Sequence, residues 1–428
     1  MTYGASLAGS GPHSGQGGDR AQPHEQAGQL GATISLKGLQ RGTLWLLMAF
    51  SSIAFTEPSP YELLFVLALL VFCVVGIRFS ARLVPLVMLL IIFNIGGIFS
   101  LIPFMDEPDS VRFIAVSVYL MITCVFIAAI MADDTAARLN TMRRGMLIAA
   151  WIAGVAGIAG YFNIGGTADL FTRYGRASGT FKDANVFGPF MVLPIVYIVQ
   201  RILCGETGAL RGLMMMSVPV LAVFLSFSRG AWGNMAGGMM LCALLLFLTS
   251  STIKLRARIM FMTLLGLFVL AAALLFALSF DVIGEMFKER ASLVQDYDVG
   301  AQGRFGKLFH AIPMLLDLPN GFGPLRFRFF FPEDPHNVYI NAFASYGWLG
   351  GISYLALIMI TCMVGWRLVF RRTQWQTHAI VIWSVMFATI VQGLQIDTDH
   401  WRHFYLMLGL VWGLSCLPAR HEALTRND

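Results

Sequence analysis

The side chains of this sequence best fitted to chemistry stand at the edges of apolar runs. His336 follows Pro335 and precedes Asn337 in EDPHNVYINAFASYGWLGG, and Gly347, Gly350 and Gly351 are spaced beyond it. The proline interrupts the loop before the ring, and Asn337 offers a cap to the helix that follows. An imidazole titrates near neutrality and can take a hydroxyl proton, so His336 is a general-base candidate. Arg229 stands between two apolar runs in SFSRGAW, beside Ser228 and Gly230. A charge at that depth is costly unless it faces a polar cavity. Arg173 and Arg176, in FTRYGRASGTFKDANVFG, and Arg304, in GAQGRFG, present planar forks of donors suited to phosphate. The plainer alternatives are headgroup anchoring for the arginines and interfacial anchoring for the histidine.

The elements that must position these groups follow from composition. The chain is 57% hydrophobic and 13% charged, whereas soluble domains carry about a quarter charged residues. It is built for a bilayer. The net charge of +6 lies in short basic clusters between apolar runs. That pattern belongs to membrane topology, and no nucleic-acid partner is expected.

The expectation is an all-α polytopic protein of about twelve transmembrane helices, give or take one, with a long periplasmic loop carrying surface helices. A disordered cytoplasmic tail covers 1–40, rich in Gly, Ser and Gln. Helices one to nine occupy 41–280, the first at 43–56. The periplasmic loop with the histidine segment spans 281–346, helices ten to twelve 347–418, and a short cytoplasmic tail 419–428. Within the long loop, the spacing of Phe287, Leu293, Phe305, Phe309 and Met314 predicts helices lying on the membrane surface. Cationic loops such as Arg138, Arg143 and Arg144, or Lys254, Arg256 and Arg258, alternate with cation-poor ones, which puts both termini inside. Arg173, Arg176, Lys182, Arg229, Arg304 and His336 then all fall outside, against the orienting preference. Of the six cysteines none falls in an outer loop, so no disulfide framework is expected.

Several of these segments together resemble the O-antigen ligase and polymerase superfamily. His336-Asn337, nine residues, Gly347, two residues, Gly350 is similar to the histidine motif of bacterial O-antigen ligases. SFSRGAW, GRASGTFKDANVFG and GRFGKLFHAIPMLLDLPNGFGPLRF are similar to further signatures of the same group, in order over about 150–420. Family members commonly carry a proline before the asparagine of the GTF…N segment, where this chain has Ala184 before Asn185. The shape of that turn is therefore open, with the Asn185 side chain a candidate cap for the next span.

The resemblance implies an inner-membrane glycosyltransferase, related in fold to the multispanning lipid-sugar transferases, with its active site in the periplasm. It implies inverting transfer of glycan from undecaprenyl pyrophosphate to an acceptor sugar, most simply lipid A–core, without cofactor or metal. His336, Arg229 and Arg304 would be catalytic, and Arg173, Arg176 and Arg229 would bind pyrophosphate. Asn337, Gly347, Gly350 and Asn185 would support the motifs. Three rivals stand beside this: a polymerase joining lipid-linked repeats, a metal-dependent transferase using Asp296 and Asp298 or Asp397, Asp399 and His400, and a lipid-linked sugar flippase. Transporters favour midplane charges and repeats, whereas here the conspicuous residues crowd one face.

Overall fold

The computed structural model describes residues 22–55, 58–279 and 303–417. Among the described residues the chain is helical apart from one small hairpin. The first half runs α1 (Gln22–Ala49), α2 (Pro60–Val75), α3 (Val84–Leu101), α4 (Pro108–Ile130) and α5 (Thr135–Tyr161). One turn of helix, α6 (Ala168–Phe171), leads into the hairpin β1 (Thr172–Arg173) and β2 (Arg176–Ala177). Then come α7 (Ala184–Leu203), α8 (Ala209–Leu225), α9 (Arg229–Thr249) and α10 (Ile253–Leu278). The last four are α11 (Arg304–Leu316), α12 (Val338–Phe370), α13 (Gln376–Gln392) and α14 (Arg402–Ser415).

The expected apolar runs fall wholly or partly on helices, and among the described residues seven helices are long and apolar enough to cross a membrane by length and composition. α2, α8 and α13 are apolar yet only 16, 17 and 17 residues long. At 1.5 Å per residue such a helix spans about 25 Å, short of a hydrocarbon core of about 30 Å. Two boundaries also differ from expectation. α1 begins at Gln22, inside the stretch assigned to the tail, and stops at Ala49, where Ser51 Oγ donates to the Met48 carbonyl at 2.6 Å. α12 begins at Val338, ahead of 347, because Asn337 caps it there.

Small residues set the packing, as membrane helices lacking a hydrophobic drive between them require. A Cβ on Gly145 of α5 would lie 2.6 Å from Met48 Cβ, and one on Gly157 would lie 2.6 Å from the Phe187 ring. Where α3 crosses α12, a Cβ on Gly96 would sit 2.5 Å from the Gly350 nitrogen. Phe93 stacks on Tyr346 beside that crossing, ring centres 3.9 Å apart. α7 is the central element, with 78% of its apolar window buried, against 6% for α10 at the rim.

Polar contacts sort the loops into two ends. At one, Arg41 pairs with Asp134 at 2.6 Å and Arg78 with Asp133 at 3.4 Å. Arg258 there reaches the carbonyls of Leu203 and Ile202. At the other, Thr180 Oγ1 donates to the Ser52 carbonyl and Ser100 Oγ to that of Asn320. Ser110 Oγ donates to Pro324, and Asn337 N–H to Asp397. These contacts each join loops of the same group in the cation pattern.

Of the expected surface helices, Phe287 and Leu293 lie outside the described residues, as does the side chain of Phe305. α11 is amphipathic on both sides. Ala311 and Leu315 pack with Phe322, Phe327 and Ala344 in a small second core, while Phe309 and Leu316 face outward.

Candidate active site

The histidine segment is held by backbone and by an acidic residue 60 positions downstream. Asn337 Oδ1 accepts from the N–H groups of Tyr339 and Ile340, each at 3.1 Å, and so starts α12. Its Nδ2 donates to the Leu394 carbonyl at 3.2 Å, and Val338 N–H to that of Gly393 at 2.9 Å. Asp397 accepts the N–H of Asn337 at 3.0 Å and also that of His336. His336 itself takes the left-handed conformation, φ 50°, which turns its ring out of the chain path. The ring is one-third exposed, its Nε2 3.9 Å from Glu333 Oε2.

Eleven residues further, Gly347 breaks α12 with φ 66° and ψ −172°. A Cβ there would sit 2.6 Å from the Pro319 carbonyl, which accepts the N–H of Trp348 at 2.8 Å. The glycine is needed twice over, for its dihedral and for the approach of another strand of chain.

Asp397, Asp399 and His400 are anchors in this arrangement. Burial lifts the Asp397 carboxyl to about 8, helped by Asp399 and Asp334 and opposed by the two N–H donors. Asp399 accepts from Asn341 Nδ2 at 3.2 Å and lies 3.1 Å from His400 Nδ1. His400 Nε2 is 3.0 Å from the Phe113 carbonyl. Both neighbours are acceptors, so the ring satisfies both only as the imidazolium. Burial works against that charge, but the Asp399 carboxylate outweighs it and the histidine is raised above its ordinary range. Among the described residues no group of three or more His, Cys, Asp or Glu is placed to hold a metal ion. Asp296 and Asp298 lie outside them.

Arg229 opens a cavity of about 840 Å3 between α9 and α13. Ser228 caps α9, its Oγ accepting from Ala231 N–H at 3.3 Å, and Phe227 before it is left-handed at φ 44°. Gly230, Gly233 and Gly237 leave one face of α9 bare. At Gly233 an added Cβ would meet nothing within 4 Å. The polar groups collect near the arginine, where Asn234 Nδ2 donates to Gln392 Oε1 at 2.7 Å and to Thr389 Oγ1 at 3.0 Å. Further along, Met240, Leu241 and Leu244 make the wall apolar. Such a slot suits a molecule with an anionic head and a hydrocarbon tail. Gln392 and Gln395 also line it, so Arg229 and the His336–Asn337 anchor flank the same end of α13.

The hairpin separates its two arginines. Tyr174 and Gly175 supply the two positive φ angles of its turn. Arg176 folds inward, Nε donating to the Ser226 carbonyl at 2.7 Å and Nη2 to Asn185 Oδ1 at 2.8 Å. It thus touches the turn that presents Arg229. Asn185 is engaged by this arginine and does not cap α7. Asp183 does, accepting Asn185 N–H at 2.9 Å, and the Ala184 departure from the family pattern falls at the first helical residue. Arg173 stays on the exposed edge, donating to the Asp169 carbonyl at 3.4 Å. Arg304 is the first residue of α11, and its side chain lies outside the described residues.

Two contributors escaped the sequence reading. Lys307 is 1% exposed, its Nζ donating to the Asp334 carbonyl at 2.8 Å and lying 3.4 Å from Glu333. It ties α11 to the histidine loop. Asp397 was legible only as a possible metal ligand. A carboxylate just before an apolar run was the one signal, and it does not name its partner.

The model of the family described as O-antigen ligase matches residues 214–355, from α8 past the kink in α12. Arg229, Arg304, His336, Asn337, Gly347 and Gly350 lie within the match, and Arg173, Arg176 and Asn185 outside it. No curated protein matches the chain. Residues 214–355, the segment that carries the histidine motif, are therefore similar to the O-antigen ligase family.

Proposed function

We propose that the protein is a periplasm-facing glycosyltransferase that moves a glycan from undecaprenyl pyrophosphate onto a hydroxyl of lipid A–core. The observation that carries this reading is the slot headed by Arg229, polar at its mouth, apolar along its length, and sharing the end of α13 with the anchor of His336. The donor's pyrophosphate lies at Arg229, with Arg176 steadying the turn behind it, Arg304 closing over it and Arg173 at the outer approach. Its prenyl chain runs between α9 and α13. The acceptor oxygen attacks the anomeric carbon from the face opposite the pyrophosphate, and the carbon–oxygen bond to pyrophosphate breaks. His336 takes the hydroxyl proton, undecaprenyl pyrophosphate leaves, and the anomeric centre is inverted. Arginine hydrogen bonds that strengthen as the leaving group gains charge lower the barrier, so the scheme needs no metal.

Deletion of the gene in its host, followed by analysis of surface and carrier-linked glycan, tests the reading. A ligase deletion leaves finished polymer on the polyprenyl carrier. Single repeats joined to core would make the protein a polymerase, and unchanged glycan would sink both.

A further inference from the structure

A second cavity, of about 700 Å3, opens at the same end of the molecule between the start of α4, residues 181–190 and residues 400–403. Its lining differs from that of the Arg229 slot in three ways. It is aromatic along one side, with Phe113, Phe181 and Phe190. Its charges balance: Glu62, Asp109 and Asp183 stand against Arg112, Lys182 and Arg402, and the His400 imidazolium in its wall is matched by Asp399, 3.1 Å from its Nδ1. It also contains buried nitrogens that have no hydrogen-bond partner among the described residues. Nε2 of His403, a residue 5% exposed, is one, and Nη1 of Arg402 is another. The Nη2 of that arginine reaches Glu62.

Buried polar atoms are rarely left without partners, because each one costs about 1–3 kcal/mol. The Tyr119 hydroxyl, on another lining residue, is a third such atom among the described residues, and three at one cavity call for a ligand that brings hydroxyls. A phosphate would be met by an excess of cations, and this cavity has none. Balanced donors and acceptors beside flat apolar rings match a pyranose, which offers hydroxyls around its edge and C–H groups on its faces.

The position gives the cavity its role. Gln392 and Gln395 face the Arg229 slot, while His400, Arg402 and His403 face this one. Asp397, between them in sequence, holds the backbone of His336 and Asn337. One short segment therefore walls both cavities and, at its middle, holds the backbone of the candidate base. We propose that the second cavity binds the acceptor saccharide, a neutral sugar ring held by Arg402 and His403 and stacked on the aromatic side. The assignment rests on the transferase reading for its role, and on the cavity alone for its ligand class.

Binding, measured apart from turnover, tests it. The full chain in lipid nanodiscs is titrated with two probes, delipidated core oligosaccharide from the host and undecaprenyl pyrophosphate. Ala115 is an exposed residue of α4 that lines the cavity. Ala115→Trp should weaken oligosaccharide binding about tenfold or more and leave the prenyl pyrophosphate within about twofold. Gly233→Trp, which fills the other slot, should do the reverse. If Ala115→Trp does not insert, Ala115→Cys alkylated after purification gives the same block in a folded protein. Oligosaccharide affinity unmoved by the block, or absent from the wild type, overturns the proposal, as does equal loss of both probes. Prenyl pyrophosphate affinity unmoved by Gly233→Trp would instead remove the donor reading, with the oligosaccharide arm still deciding the second site.

Discussion

The arginines at the two ends of the bundle sit at opposite poles of their helices. At the end expected to face the cytoplasm they close helix C-termini. Arg138 donates to the carbonyl of Ile130 at the end of α4, and Arg256 to that of Ser250 after α9. Arg258 donates to the last carbonyls of α7, and Arg371 to that of Leu417 after α14. A cation there meets free carbonyls and the negative pole of the helix dipole. At the other end Arg229, Arg304 and Arg402 are each the first residue of a helix, at the positive pole. Arg402 is answered by Glu62. Arg229 heads a cavity. The inner arginines are explained by the fold they complete, whereas Arg229 doubles the positive character of a helix start, which is the arrangement an anionic ligand would reward. Arg176 shows that an outer arginine can also close a helix, since it caps α8 through Ser226.

The largest effect expected concerns His336, the proposed base. His336→Ala should lower transfer about 10²–10⁴-fold while donor binding and membrane level stay at wild type. Wild-type turnover in this variant would reduce His336 to a structural residue.

A matched pair of substitutions tests the contrast between the poles. Arg229→Lys keeps charge but loses the fork, and each charged hydrogen bond lost is worth about 1.5–3 kcal/mol, so transfer and donor affinity should fall about 10- to 100-fold. Arg258→Lys can still donate to the carbonyls it caps and should change stability by less than about 1 kcal/mol. Equal tolerance at both positions, read as glycan transfer and melting temperature, would erase the distinction.

Gly347→Ala should cost about 1–3 kcal/mol, from the left-handed dihedral and the Pro319 carbonyl together. A melting temperature unchanged from wild type would show that the kink relaxes freely.

A separate effect is the pH dependence contributed by Asp397. Its folded carboxyl titrates at about 8, against about 3.9 in an unfolded chain. Between those values the folded protein holds a proton that the unfolded chain has released, so stability falls as pH rises through that window and levels off above it. Asp397→Asn removes the titration and can still accept the two N–H groups. The melting temperature of wild type relative to this variant should decline from about pH 5 to about pH 8. A difference that stays flat across that window would place the carboxyl in the ordinary range.

What could be foreseen was what is local. Asn337 two residues from Pro335 signals a helix start without reference to anything distant, and apolar runs signal helices whatever they pack against. The His336 anchor could not be foreseen, because Asp397 lies 60 positions away and only the α12–α13 packing brings it near. The same holds for Asn185, whose residue type suits a cap equally well as a partner for Arg176. Helix length carries less information. An apolar run of 17 residues such as α13 reads as a span, and burial of Ala379 to Met386 among other helices gives its hydrophobicity a second source.

For the proposed prenyl-pyrophosphate donor, the bare face of α9 sets the route of entry. Met240 and Leu244, at the apolar end of the slot, are 61% and 52% exposed on the flank of the bundle, so a prenyl chain can slide in sideways from the surrounding leaflet. The quantity that fills the slot is then a surface density, the number of carrier molecules per unit area of membrane, and moles per litre describe it poorly. Adding empty lipid vesicles fused to the proteoliposomes at constant total carrier should raise the apparent KM in proportion to membrane area. Adding buffer should leave it where it was.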